Sequence, residues 1–425
     1  MTEEIKYIPF TKEMKKEYTI LAPNMLPMHF ELIMHTLKKE GYNVELLKNE
    51  GSQIAETGLK YVHNDTCYPA ILVIGQFIDA LNSGKYDTHK VALIYFQSGG
   101  GCRASNYIFL IRKALIKAGY GYIPVISLSL NNLEKHPGFK LTIPLLAKMF
   151  YCVFYGDLLM SLVNQCKPYE KNIGQSDKLA LQWTEKLTDC LDKEGLSYRK
   201  VIKHCKEILN SFAGIPLEKI EKVKVGVVGE IYVKFSSLGN NKLEQFLLDE
   251  GAEVTVPGLL DFFLYTVNAK INDFRLYGIN RLQYPLFLLL YKFLINKQKQ
   301  FINAIKNDGH FSAPTPFPRI LKLSSDYIDS GVKMGEGWLL PAEMLELKDR
   351  GIKNIVCAQP FGCLPNHIVG KGMMKPIKDR NPDMNIVAVD YDAGASKVNQ
   401  DNRIKLMLAN AREHLESEEK AKTAV

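Results

Sequence analysis

The sequence predicts an α/β protein built from two parallel-sheet units, and three observations carry that prediction. Short β-branched runs alternate with amphipathic helical stretches through the first third of the chain. The same alternation restarts at Lys222-Val-Lys-Val-Gly-Val-Val-Gly229 after a long helical stretch, and glycine or proline punctuates most of the strand-to-helix junctions. Such alternation builds a mostly parallel sheet with helices on both faces, and ligands gather outside the carboxyl ends of its strands. The expectation is two Rossmann-like (flavodoxin-like) domains with a cleft between them. The first spans 1–143, a helical connector 144–221, and the second 222–425, with a helical insertion at 261–325.

Taken in order, the first unit opens with a strand ending at Ala22, a proline-bounded loop, and a helix to about Glu40. Gly41 closes that helix, and 42–47 returns as a strand. Leu59-Lys-Tyr-Val-His63 and Val91-Ala-Leu-Ile-Tyr-Phe96 read as further strands, each followed by a helix, and 122–130 as another. The connector is helical, with Ser176 placed to cap an amphipathic run through Trp183, Leu187 and Leu191. In the second unit a strand from Lys222 runs on through Gly229-Glu-Ile-Tyr-Val233. A helix over 241–250 is stopped by Gly251, and 253–256 pairs back. After the Leu-, Phe- and Tyr-rich insertion come a strand over 351–357, a helix opened by Pro365, a strand over 385–392 and a last helix to about Leu415, with a frayed tail after Glu416.

Composition excludes several classes. With 425 residues, 46% hydrophobic and 24% charged, the chain is neither disordered nor fibrous. The net charge of +8 is spread without a Lys/Arg block, so no nucleic-acid partner is expected. The first residues carry no charged-apolar-cleavage pattern, and the apolar stretch 284–295 is short and broken by Pro285 and Lys292. The expectation is therefore a cytoplasmic protein without a membrane partner. Eight cysteines in a reducing compartment read as free thiols, metal ligands or redox groups.

Three of those cysteines share one placement. Cys67 in Asn64-Asp-Thr-Cys-Tyr-Pro69, Cys102 in Ser98-Gly-Gly-Gly-Cys-Arg103 and Cys363 in Cys357-Ala-Gln-Pro-Phe-Gly-Cys363 each follow a strand-like run and precede a helix start. A helix N-terminus favours thiolate, the form that binds metal, so these three thiols are expected to have lowered pKa values. Gly101 and Gly362 would let backbone N–H groups approach the sulfides of an iron-sulfur cluster. Drawn from separate units, the three sulfurs can meet only in an interdomain cleft, and three ligands leave one iron of a 4Fe-4S cube open. Zinc is the metal alternative, disfavoured because paired CxxC knuckles are missing. Cys357 is the ambiguous fourth, read here as a core residue that a larger cluster could recruit. Cys152, Cys166, Cys190 and Cys205 are read as core or surface residues without chemistry.

Two further residues are candidates for catalysis. Glu230 stands at a strand's carboxyl end, where it can serve as a base or hydrogen-bonding acid, or merely cap a helix. His367 follows Pro365 and can donate to a ligand, or be a structural histidine. Lys371 lies in Val-Gly-Lys-Gly372, which lacks the spacing and the Ser/Thr of a P-loop, so no ATP site is expected in this chain.

At these residues the sequence resembles the 2-hydroxyacyl-CoA dehydratase family, which includes benzoyl-CoA reductase subunits and double-cubane cluster proteins. It looks closest to the branch described as acyl-CoA dehydratase activase-related. The likeness runs through Ala22-Pro-Asn-Met-Leu-Pro27, Asn64-Asp-Thr-Cys-Tyr-Pro69, Gly99-Gly-Gly-Cys-Arg103, Gly229-Glu-Ile-Tyr-Val233, Gln359-Pro-Phe-Gly-Cys-Leu-Pro-Asn-His367 and Asp390-Tyr-Asp-Ala-Gly-Ala-Ser396. It implies a 4Fe-4S cluster held by Cys67, Cys102 and Cys363 between two α/β domains. It also implies a low-potential electron delivered by a separate ATP-hydrolysing activase, and an acyl-CoA or other small substrate that is reduced or dehydrated. A double-cubane cluster would require more ligands, with Cys357 the available one. A non-catalytic scaffold subunit is the other class the resemblance admits, and a homo- or heterodimer is compatible with it.

Overall fold

The computed structural model describes residues 5, 7–97, 101–128, 134–193 and 197–423. Two four-stranded sheets form the two α/β units. The first is ordered β2-β1-β3-β4 from strands Thr19–Ala22 (β1), Asn43–Leu46 (β2), Val91–Phe96 (β3) and Val125–Leu128 (β4). The second is ordered β6-β5-β7-β8 from Lys224–Gly229 (β5), Glu253–Thr255 (β6), Asn354–Pro360 (β7) and Asn385–Tyr391 (β8). Every pairing is parallel, for example Ile20 with Ala92 and Val227 with Val356. The central strands β3, β5 and β7 are buried along nearly their whole length, as parallel strands covered on both faces must be.

Five expectations about the elements need correction. Leu59-Lys-Tyr-Val-His63 is not a strand: the helix Ser52–Tyr61 occupies most of it, and a second helix, Tyr68–Asn82, follows at once. Ile54, Ala55 and Gly58 recur at helical spacing and are the buried positions, which the alternation at its end concealed. The two helices cross at glycines: a Cβ on Gly58 would lie 2.1 Å from the Ile71 carbonyl oxygen, and one on Gly75 1.9 Å from that of Ile54. The stretch after Gly229 turns into the short helix Ile231–Phe235 instead of extending β5. Ser176 lies inside the helix Gln175–Lys193, and its hydroxyl donates to Glu170 at 2.6 Å instead of capping. β7 starts later and ends later than expected, putting Cys357 mid-strand, and the last helix, Lys397–Thr423, continues through the tail read as frayed.

Among the described residues, the helix Ile143–Cys166, and not 284–295, has the length and composition of a membrane span. Because 61% of its apolar window is buried inside the protein, it is a core helix. It packs on Pro27–Lys39 of the first unit, on Tyr198–Ala213 of the connector and on Leu259–Tyr277 of the insertion. One hydrophobic cluster accordingly runs continuously from Leu21 and Leu93 through Leu158 and Phe212 to Val227 and Leu408.

Asp157, on that core helix, joins the two units. Its carboxylate meets His29 Nε2 at 2.9 Å and accepts from the backbone N–H groups of Leu259 and Leu260 at 2.7 and 2.9 Å, capping the helix Leu259–Tyr277. Removing it would strand two buried N–H donors and a buried imidazole. Asp157→Ala should therefore cost about 3 kcal/mol in urea unfolding. Asp157→Asn, whose amide oxygen still accepts, should lose less. Equal stability of both variants with the unmodified protein would disprove the role.

Candidate metal centre

The carboxyl ends of β3, β5 and β7 point toward one seam between the units, and backbone contacts close it. Cys67 precedes the first residue of Tyr68–Asn82, whose Tyr68 N–H donates to the Phe361 carbonyl of the second unit at 3.0 Å. Gly362, at φ +73°, lies so close that a Cβ there would stand 3.1 Å from Cys67 Cα and 3.3 Å from its nitrogen. Only a residue without a side chain fits both that conformation and that approach. Cys363 follows directly, with His367 N–H donating to its carbonyl at 3.1 Å. Cys102 arrives from the other side. It borders Gly335, where a Cβ would be 3.8 Å from Cys102 Cβ and 2.7 Å from Pro365 Cγ, and the neighbouring Gly101 N–H lies 3.1 Å from Met334 Sδ. The structure thus brings the turns carrying Cys67, Cys102 and Cys363 to a single seam.

Each sulfur has a side-chain or backbone hydrogen-bonding partner. Tyr107 Oη lies 2.8 Å from Cys67 Sγ, the Ala104 N–H donates to Cys102 Sγ at 3.3 Å, and Asn366 Nδ2 donates to Cys363 Sγ at 3.4 Å. Such partners stabilise a thiolate once it forms. Before that, burial dominates. It pushes the Cys67 thiol up to about 11 and Cys102 up to about 12, and raises Cys363 as well. The expectation that helix starts would lower these thiols is therefore wrong: desolvation outweighs the helix ends. Core thiols such as Cys152 and Cys205 are also pushed to about 12 by burial, so the elevation itself marks no site.

What sets the three apart is their shared electrostatic company. The charge of Glu230 raises all three thiols, that of Glu336 raises Cys102 and Cys363, and that of Cys67 raises Cys102. Glu230 and Glu336 are themselves raised, by burial first, and Glu230 further by Glu336. Glu230 Oε2 accepts from Val233 N–H at 2.9 Å and caps Ile231–Phe235, the structural one of its two expected roles. Glu336 Oε1 accepts from Ile231 N–H at 2.9 Å. Burial thus holds the three thiols and two carboxyls of this seam toward their neutral forms, with Lys234 the cation whose charge reaches both carboxyls and Arg103 one that reaches Cys67. Ionising the thiols would take a further positive charge bound among them.

Cys357 lies apart from this company. It is fully buried in a cluster with Val228, Met344, Ile377 and Met384, the core role expected of it. His367 is exposed and reaches Cys363 only through its backbone. Lys371 begins the helix Lys371–Arg380 and sits 3.6 Å from Asp390. Among the described residues, no group of three or more His, Cys, Asp or Glu is close enough to hold a single metal ion. For zinc, bonds of about 2.3 Å in a tetrahedron bring sulfurs within about 4 Å of each other. An iron-sulfur cube holds its thiolates farther apart, and three soft sulfurs with hydrogen-bonding partners are the donor type such a cube takes.

Sequence reasoning missed Glu336, Tyr107 and Asn366. Asn366 was within reach, three residues after Cys363 in the motif already singled out. Glu336 had a signal in its glycine-flanked setting, Met334-Gly-Glu-Gly-Trp338. Tyr107 had none, being 40 residues from its cysteine in the chain. No known family model matches this chain. No curated protein aligns with it significantly either.

Proposed function

We propose that this chain is an iron-sulfur redox protein of the kind it resembles, the 2-hydroxyacyl-CoA dehydratase family. It would be cytoplasmic and served by a separate ATP-hydrolysing activase. The single observation that carries the reading is the convergence of the Cys67, Cys102 and Cys363 turns on one seam beside Glu230 and Glu336. In it those cysteines hold a 4Fe-4S cluster, which when bound supplies one-electron reduction at low potential for an acyl-CoA or other small acceptor. Tyr107, Ala104 N–H and Asn366 stabilise the thiolates, while the buried walls exclude water. Anaerobic reconstitution with iron and sulfide should give several irons per chain and a visible absorption band bleached by dithionite. A protein that stays metal-free, or takes only zinc, refutes the proposal.

A second reading is a cluster-bearing subunit without catalysis of its own. It is favoured by the use of Glu230 as a helix cap and by the exposure of His367, which leave few groups free for proton transfer. Turnover with an activase, ATP and a low-potential donor separates the two. Tyr107→Phe tests the cluster environment in either reading. Loss of the hydroxyl beside Cys67 Sγ should make the reduction potential more negative, by on the order of tens of millivolts, with iron content unchanged. An unmoved potential would show that this hydroxyl does not act on a ligand.

A further inference from the structure

The insertion forms a hairpin of two helices, Leu259–Tyr277 and Tyr284–Asp308, and its tip stands off the body of the protein. From residue 275 to residue 293 no side chain is buried, although the segment is helical for most of its length. Its exposed residues are large and apolar. Leu282 is 96% exposed, Leu286 65% and Leu289 67%, with Tyr277, Ile279 and Phe293 each more than half exposed. At 100° per residue, Leu286, Leu289, Leu290 and Phe293 share one stripe about a quarter-turn wide. The tip is held in shape from within, Phe274 packing on Tyr284 with ring centroids 4.5 Å apart. It is thus an ordered, one-sided apolar face without a cover.

We propose that this face is the interface between two copies of the chain, each hairpin packing its apolar tip, the stripe together with Tyr277, Ile279 and Leu282, against the other's to close a four-helix bundle. The area is right for it. At roughly 150–250 Å² for a large side chain, the exposed parts of the seven tip residues named come to about 850 Å² per protomer, about half of it from the stripe. A stable interface of standard size takes about 800 Å² per partner. The seam itself is self-complementary, since residues 282–291 carry no charge and the stripe is the leucine-rich kind that fills the core of helix bundles.

Charge makes the proposal specific. Residues 274–307 contain no Asp or Glu, while Arg281 and Lys292 bracket the seam. Lys297 is turned over the Tyr198 and Phe293 rings. The nearest acids lie at the root: Asp273 pairs with Lys333, and Asp329 accepts from Gly331 N–H at 2.6 Å. Two such hairpins therefore attract through apolar surface and repel through their flanks. Added salt screens the repulsion and should tighten the dimer, whereas it would weaken docking on an anionic lipid surface or an acidic protein.

Sedimentation equilibrium of the full chain at micromolar concentration, in low and high salt, tests this. The unmodified protein should be dimeric and its dissociation constant should fall with salt. The double variant L286D/L289D should be monomeric, with a circular dichroism spectrum and thermal midpoint like the parent's, since both leucines are exposed. L282N, at the most exposed position, should weaken the dimer without abolishing it. A parent monomeric throughout overturns the proposal, as does a dimer indifferent to L286D/L289D. A monomer that sediments with phosphatidylglycerol vesicles in low salt alone overturns it in favour of a membrane surface.

Discussion

Cys67→Ser, Cys102→Ser and Cys363→Ser are each expected to lower the iron retained after anaerobic reconstitution roughly tenfold or more, because a serine hydroxyl does not ionise to a soft ligand at neutral pH. The three side chains sit on separate turns, at the start of Tyr68–Asn82, after β3 and after β7, so equal losses would not follow from damage to one element. Cys190→Ser, at a partly exposed position, and Cys205→Ala, in the core, are the controls. Cys205 is fully buried, and alanine avoids introducing an unpaired hydroxyl there. Iron lost equally in the controls would show that folding, not ligation, was being measured. Cys357→Ala extends the same comparison. It should lose stability by opening a small cavity among Met344, Ile377 and Met384 while keeping its iron. Loss of iron there would instead favour a larger cluster of the double-cubane kind.

Gly362→Ala is the second large effect, and it needs no cofactor to be seen. At φ +73° an alanine costs about 1–2 kcal/mol in backbone strain. Its Cβ would also meet Cys67 Cα at 3.1 Å, tighter than packing allows without a shift of backbone on either side of the seam. The hydrogen bond from Tyr68 N–H to the Phe361 carbonyl is the contact that would give way. Gly351 supplies an internal reference, with φ +82° and nothing within 4 Å of a Cβ. Gly351→Ala should pay for conformation alone, whereas Gly362→Ala should pay more in urea unfolding and lose iron on reconstitution as well. If the two variants lose the same stability and both keep their metal, the close approach at Cys67 does not matter to the site.

The strands show how much of this was legible in the residues. β5 and β7 are runs rich in valine, isoleucine and alanine that end on glycine or proline, a chemistry that suits a strand buried on both faces, and β8 is a similar run with the alternating burial of an edge strand. Gly41 and Gly251, at φ +82° and +81°, end their helices as read, because few other residues tolerate that conformation. The short run Leu59-Lys-Tyr-Val-His63 misled for an equally physical reason. Over five residues the periods of strand and helix overlap, and the deciding feature, Gly58 lodged against Ile71, lies on another element.

By itself the sequence determined the parallel α/β architecture in two units and the placement of Cys67, Cys102 and Cys363 just ahead of helices, because local periodicity and capping depend on neighbours in the chain. Only the tertiary structure decided what surrounds them. Glu336 and Tyr107 approach the thiols through folding, and the sign of the thiol pKa shift is set by how much water the packed seam removes. Burial is a property of the whole molecule, and it outweighed the helix ends that the local pattern brought to attention.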